Sequence, residues 1–208
     1  MKTTEKKDRI ALRKERVQQL CEQLTADGYT QNDLTISADT ANSSAMLTTI
    51  LPISLYIVLF GLTAGWSTYK NLDTGLLMLL ILLSLVVHEM IHGIFFGMFA
   101  PKHFAAIEFG VFWKSLNPYC YCGDPVSKAQ YLIALLMPGF LLGTCTGAAA
   151  ILLGDATLLI FSLAAYLCAS GDFLVACKIF RFSVHGKEAL FLDHPDQPGL
   201  LVFTRDAA

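Results

Sequence analysis

The sequence predicts an all-α polytopic membrane protein. About four transmembrane helices follow an N-terminal cytoplasmic amphipathic helix, and a short β-hairpin lies between spans two and three. Three observations carry this. The chain is 54% hydrophobic and 15% charged, with a mean hydropathy of +0.54, outside the soluble globular range. Charge is segregated, because no Lys, Arg, Asp or Glu occurs from Ala41 to Tyr69 or from Ala129 to Gly154. Four stretches offer the roughly 20 apolar residues that a crossing requires.

The first segment, 1–44, divides into a helix and a linker. Ile10, Val17, Leu20, Cys21 and Leu24 recur at near-helical spacing with Lys, Arg, Glu and Gln between them. Asp27-Gly28 ends that helix, and Thr30 to Ser44 is polar and turn-rich. The apolar face rests on the membrane or on the protein's own cytoplasmic face. The charged start lacks the early apolar core of a cleavable signal peptide.

The membrane domain, 45–182, contains spans near Met46–Trp66, Gly75–Phe99, Tyr131–Leu153 and Ala156–Phe180. Only Gly154-Asp155 separates the last two. Pro52 and Pro138 interrupt two spans, which membrane helices tolerate when neighbours satisfy the freed carbonyls. In the loop 101–128, His103 to Trp113 is rich in Phe, Val and Ile, and Asn117-Pro118 turns into Tyr119-Cys120-Tyr121-Cys122. That reads as two short strands. Its aromatics suit the headgroup level, and an edge strand there would equally pair with an extended substrate. Residues 183–208 form a cytoplasmic tail.

Lys and Arg set the orientation. Seven lie before span one, Lys102, Lys114 and Lys128 lie between spans two and three, and Lys178, Arg181, Lys187 and Arg205 follow, leaving only Lys70 on the other side. The expectation is a multi-pass protein of the cytoplasmic membrane with both termini inside. A net charge of -2 gives no nucleic-acid footprint. Most of the six cysteines would face a reducing compartment or the bilayer, so no disulfide framework is expected. Cys120-Tyr-Cys122 without a second pair is weak evidence for a metal.

Burying a charge in a bilayer costs at least a few kcal/mol, so ionisable residues inside spans are functional candidates. Apart from Cys and Tyr, the interiors of the four spans contain only His88, Glu89, His92 and Asp172. The first three form His88-Glu89-Met90-Ile91-His92. An HExxH on a helix puts two imidazoles on one face as zinc ligands, with the glutamate beside them as general base for a metal-bound water. The bland alternative is a pair of histidines hydrogen-bonded within a helical bundle. Asp172 has the chemistry of the missing third ligand. His88 lies about 20 Å along its helix from Gly75, and Asp172 about 24 Å along its own from Ala156, so the depths agree. Zinc with two neutral imidazoles and one aspartate carries a formal +1, which an ionised Glu89 cancels. Three protein ligands leave a fourth position for water.

Gly93 and Gly97 form a GxxxG on the motif helix, and Ser170-Gly171 precedes the aspartate, so both backbones offer small residues near the site. Pro138-Gly139 would open span three at membrane depth. Other third ligands stay open: Glu108 in the strand-like loop, and His103, Asp124, His185, Asp193 and His194 in segments that fold back. The extended zincin position 98 holds Met98.

The stretches VVHEMIHGIFF (86–96), YCGDPVSKAQYLIALLMPGFLLG (121–143), ASGDFLVACKIF (169–180) and DHPDQPGLLVF (193–203) resemble a bacterial family of membrane zincin peptidases of unestablished physiological role. That family is distantly similar to site-2 proteases. The resemblance implies His88, His92 and Asp172 as ligands and Glu89 as the base. Pro138-Gly139 is similar to a glycine-proline element that site-2 proteases place between their ligand helices, in reversed order here. The expected activity is that of a zinc-dependent, membrane-embedded endopeptidase acting on membrane-protein or peptide substrates in the lipid bilayer. A catalytically silent metal-binding scaffold is the alternative. A metal transporter is a third reading, disfavoured by the lack of repeat symmetry.

Overall fold

The structure is a computed structural model that describes residues 2–36, 44–65, 68, 72–112 and 117–207. The linker residues 37–43, Trp66, Lys70, Trp113 and Lys114, which figured in the sequence expectations, lie outside the described residues.

Helix α1 (Lys2–Ala26) runs to the Asp27-Gly28 turn, where Gly28 adopts φ +85° in the left-handed region glycine favours. Its apolar face is covered by the protein itself: Val17 and Leu24 pack with Tyr29, Leu192, Leu201 and Phe203. Of the two resting places expected for this helix, the chain's own surface is the one occupied.

That surface is a sheet, and it corrects the all-α expectation. Strands β1 (Thr30–Asp33), β4 (Val126–Ser127), β5 (Lys187–Asp193) and β6 (Leu200–Asp206) form an antiparallel sheet of order β1-β6-β5-β4. Leu190 pairs with Phe203 and Thr30 with Thr204. The residues read as a polar linker and a tail thus supply most of one sheet. The central strand β6 is buried on both faces, so its Leu-Leu-Val-Phe run shows no alternation to read. The expected hairpin is present as β2 (Ile107–Phe112) and β3 (Asn117–Cys122), in register Phe109 to Cys120. Residues 103–106 form a 3-10 turn instead of strand.

Three helical stretches are long and apolar enough to cross a membrane: Met46–Thr63, Thr74–Phe99 and Lys128–Leu153. The first ends in α2 (Ile50–Thr63), the second is α3 (Thr74–Phe99), and the third joins α4 (Lys128–Pro138), a π-helical segment Gly139–Cys145 and α5 (Thr146–Leu153). Asp73 caps α3 by accepting from the Leu76 amide at 2.9 Å. Ser127 and Gln130 form a capping box on α4. Leu51, Leu62, Leu82 and Leu152 are among the large apolar side chains left exposed on these helices.

The π-helical segment is what Pro138-Gly139 becomes. The proline has no N–H to give, the ladder slips to wider turns, and neighbours take up the loosened carbonyls. Ser162 donates to the Gly143 carbonyl at 2.8 Å and Tyr56 to that of Thr144 at 3.0 Å.

The fourth span is not one helix. It breaks into α6 (Ala156–Cys168) and α7 (Ser170–Arg181), bent by 51°, so the four-span expectation holds only if the bent pair counts as one. Asp155 caps α6 through the Thr157 and Leu158 amides. The break falls before Ser170-Gly171, both poor helix formers, and Thr48 donates to the Ser170 carbonyl at 3.3 Å. Asp172 therefore sits in the first turn of α7.

A core containing Phe96, Tyr131, Leu135, Ile179, Phe191 and Val202 joins α3, α4 and α7 to the sheet. The candidate site lies where those three helices meet.

Candidate metal centre

Helix α3 carries His88 and His92 one turn apart, buried to 8% and 6% exposure. Helix α4 contributes a backbone oxygen: the Ala134 carbonyl accepts from His92 Nδ1 at 2.9 Å. A carbonyl can only accept, so Nδ1 carries the hydrogen and a neutral His92 presents a bare Nε2. That nitrogen lies 3.1 Å from His88 Nε2. Helix α7 brings Asp172, whose Oδ2 is 3.1 Å from His88 Nε2 and 3.5 Å from His92 Nε2.

Three potential ligand atoms converge, with the His88 Nε2 contacts to Asp172 and His92 open to either tautomer. Ligands of a tetrahedral zinc with bonds of about 2.0–2.1 Å stand about 3.3 Å apart, and the observed separations of 3.1, 3.1 and 3.5 Å bracket that value. Two imidazoles and a carboxylate are the donor set zinc accepts, and the His92–Ala134 contact is the outer hydrogen bond that fixes a ligating histidine. His88, His92 and Asp172 are the only group of this kind among the described residues.

Glu89 is half-buried beside the trio, with the Cys120 backbone amide facing its carboxylate. Strand β3 thus reaches the site through its main chain. Its next outward amide, Cys122, donates to Asp193 Oδ2 at 2.8 Å, and Tyr131 donates to Asp193 Oδ1 at 2.5 Å.

Every alternative third ligand is engaged elsewhere or stands outside the trio. Glu108 is held by Arg13 at 2.8 Å. Asp124 accepts from the Lys102 amide at 2.8 Å, His103 Nδ1 contacts the Gly97 carbonyl at 3.3 Å, and His194 lies 3.2 Å from Asp196. His185 and Asp193 do not join the trio. The Cys120 and Cys122 thiols are no ligands either. All six cysteines are free. Burial, reinforced by Asp193, pushes the Cys122 thiol up to about 12 and Cys120 higher still, so neither is a thiolate at neutral pH.

The small residues near the site play parts other than those expected. A Cβ on Gly93 would stand 2.3 Å from Phe109 Cζ, and one on Gly97 would stand 2.4 Å from Phe104 Cδ1. The GxxxG therefore receives the hairpin and its preceding turn, and not a second helix. Gly171 faces open space, while Gly139 packs against Phe173 and Ala169.

A family model described as "Putative zincin peptidase" matches residues 81–185, half of the chain. The protein belongs to that zincin family. No curated protein and no solved structure shows significant similarity to it. These comparisons add nothing on the distant likeness to site-2 proteases. The match runs from the middle of α3 through α7, so it contains His88, Glu89, His92 and Asp172. The matched stretch takes in the site helices, the hairpin β2–β3 and strand β4, while α1, β5 and β6 are outside it. Sequence reasoning missed Ala134, which acts through its backbone, and Tyr131, while Asp193, weighed there as a possible ligand, is found instead accepting from Tyr131 and the Cys122 amide.

Proposed function

We propose that this zincin is a zinc-dependent endopeptidase embedded in the cytoplasmic membrane, with both termini inside, acting on membrane-associated peptide substrates. The single observation that carries the reading is the convergence of His88 Nε2, His92 Nε2 and Asp172 Oδ2 from two helices at the spacing of zinc ligands, with Glu89 adjacent. Membership of a zincin family supports it independently. The apolar helices support the membrane setting, and the split of Lys and Arg supports the orientation.

Zinc bound at this trio would supply an acidified water and an electrophile for the scissile carbonyl. The chain's own residues supply the rest. Ala134 holds the His92 ring so that Nε2 points inward. Glu89 accepts a proton from the attacking water and delivers it to the leaving amine. The Cys120 amide faces the Glu89 carboxylate, and the hairpin that carries it brackets the place where an extended substrate would lie.

Glu89→Gln separates this reading from a catalytically silent metal scaffold. The expected result is full zinc content with cleavage lost, by at least the hundredfold typical of a missing general base. Unchanged peptidase activity in that variant would overturn the assignment of Glu89.

A further inference from the structure

A cavity of about 520 Å³ opens between β3, the loop 194–199, α4 and α7, within the size range of ligand sites. Three residues of its inner wall neighbour groups of the candidate site, in space or along the chain. Cys120 presents its amide towards Glu89, Leu135 follows the Ala134 carbonyl that holds His92, and Val175 lies one turn beyond Asp172. The outer wall belongs to the sheet side of the molecule, with Gln197 at its exposed mouth.

The charges on this wall are unequal. The Arg13 guanidinium is consumed by Glu108, to which it donates at 2.8 Å. Asp196 is paired with Lys14 and lies 3.2 Å from His194. Asp193 has only neutral donors, the Tyr131 hydroxyl and the Cys122 amide. Among the described residues no Lys, Arg or His approaches it within salt-bridge distance. A carboxylate offers about four lone-pair sites, so two remain for a cation. Burial also raises the Asp193 carboxyl above the usual range, a cost that a bound cation would offset.

We propose that this cavity is the binding cleft for an extended peptide segment bearing a lysine or arginine, whose cationic side chain the Asp193 carboxylate receives. The inference rests on the peptidase reading for the fate of that segment, but not for its binding. It names the substrate class: the segment enters from the side of the sheets, where loops flanking membrane spans carry Lys and Arg under the orientation proposed above.

The test uses purified full-length protein carrying Glu89→Gln, loaded with zinc, and pairs of fluorescein-labelled extended peptides. The two peptides of a pair differ only in one lysine against norleucine, placed at successive positions. Anisotropy should show one lysine register binding at least tenfold tighter than its norleucine partner, and Asp193→Asn in the same background should erase the preference. Gln197→Lys, at an exposed position that leaves the fold alone, should weaken the lysine peptide several-fold and leave the norleucine peptide unchanged. Equal affinities within every pair overturn the proposal. So does a lysine preference that survives Asp193→Asn or is untouched by Gln197→Lys. Wild-type protein that shows the preference yet cleaves no peptide refutes the peptidase reading and leaves the cleft standing. Cleavage without preference does the reverse.

Discussion

Gly93→Ala is a small perturbation with a calculable reach. The new methyl would lie 2.3 Å from Phe109 Cζ, 2.9 Å from its Cε1 and 3.3 Å from Ile107 Cγ2. Ordinary contact begins near 3.4 Å, so the ring must retreat by about 1 Å. Two opposing energies decide the outcome. Alanine in a helix interior is favoured over glycine by roughly 0.5–1 kcal/mol. Overpacking of this kind costs roughly 1–3 kcal/mol. Phe109 is half-exposed and meets the methyl with the far end of its ring, which favours the lower part of that range. The net expectation is a destabilisation of about 1 kcal/mol, read as a lower Tm in detergent. If the whole hairpin moves with the ring, the Cys120 amide withdraws from Glu89, and its exchange with deuterium should quicken. Phe109→Ala in the same chain removes the clash and should restore both readouts, giving a coupling of about 0.5–3 kcal/mol. Gly93→Ala that is as stable as the parent, with no coupling to Phe109, would refute the packing of α3 against the hairpin.

Other expectations follow from the same geometry. Arg13 is buried to 6% exposure, donates to Glu108 and Tyr119, and lies over the Tyr119 and Tyr121 rings at 5.2 and 4.5 Å. Arg13→Lys cannot reproduce the fork or the stacking and should release α1 to limited proteolysis. Equal resistance in the variant would count against that anchor. With Cys122 pushed up to about 12, its thiolate fraction at pH 8 is about one in ten thousand. Iodoacetamide should therefore spare Cys120 and Cys122 in the folded protein and label both after denaturation, as peptide mass mapping would show. Rapid labelling of either in the native state would contradict thiols held protonated at that pH.

The candidate metal trio was legible in the sequence because its residues are polar where polarity is costly. Leaving aside Cys and Tyr, three of the four ionisable residues in the interiors of the apolar runs came from one motif, and only Asp172 remained to be assigned. The amphipathic face of α1 was equally plain, although its partner was not. What escaped notice has a common cause, contacts that involve backbone or distant strands. Ala134 holds His92 through a carbonyl, which no side-chain pattern reports. Strand β6 is covered on both faces and shows no alternation. The break before α7 is written only as Ser170-Gly171, a pair that a continuous span also tolerates. Gly93 and Gly97 were read as a helix-packing stripe, when the partner is a pair of aromatic rings from the following loop. Pro138-Gly139 did announce an opened backbone, and the π-helical segment is its form.

The central claim is that two helices share one zinc through His88, His92 and Asp172. Metal content of the purified protein tests it most directly, comparing wild type, Glu89→Gln, His92→Ala and Asp172→Ala after dialysis against a weak chelator. One zinc per chain in the first two, with near-complete loss in the last two and folding confirmed by thermal unfolding, is the predicted result. Full zinc occupancy in folded Asp172→Ala would contradict it.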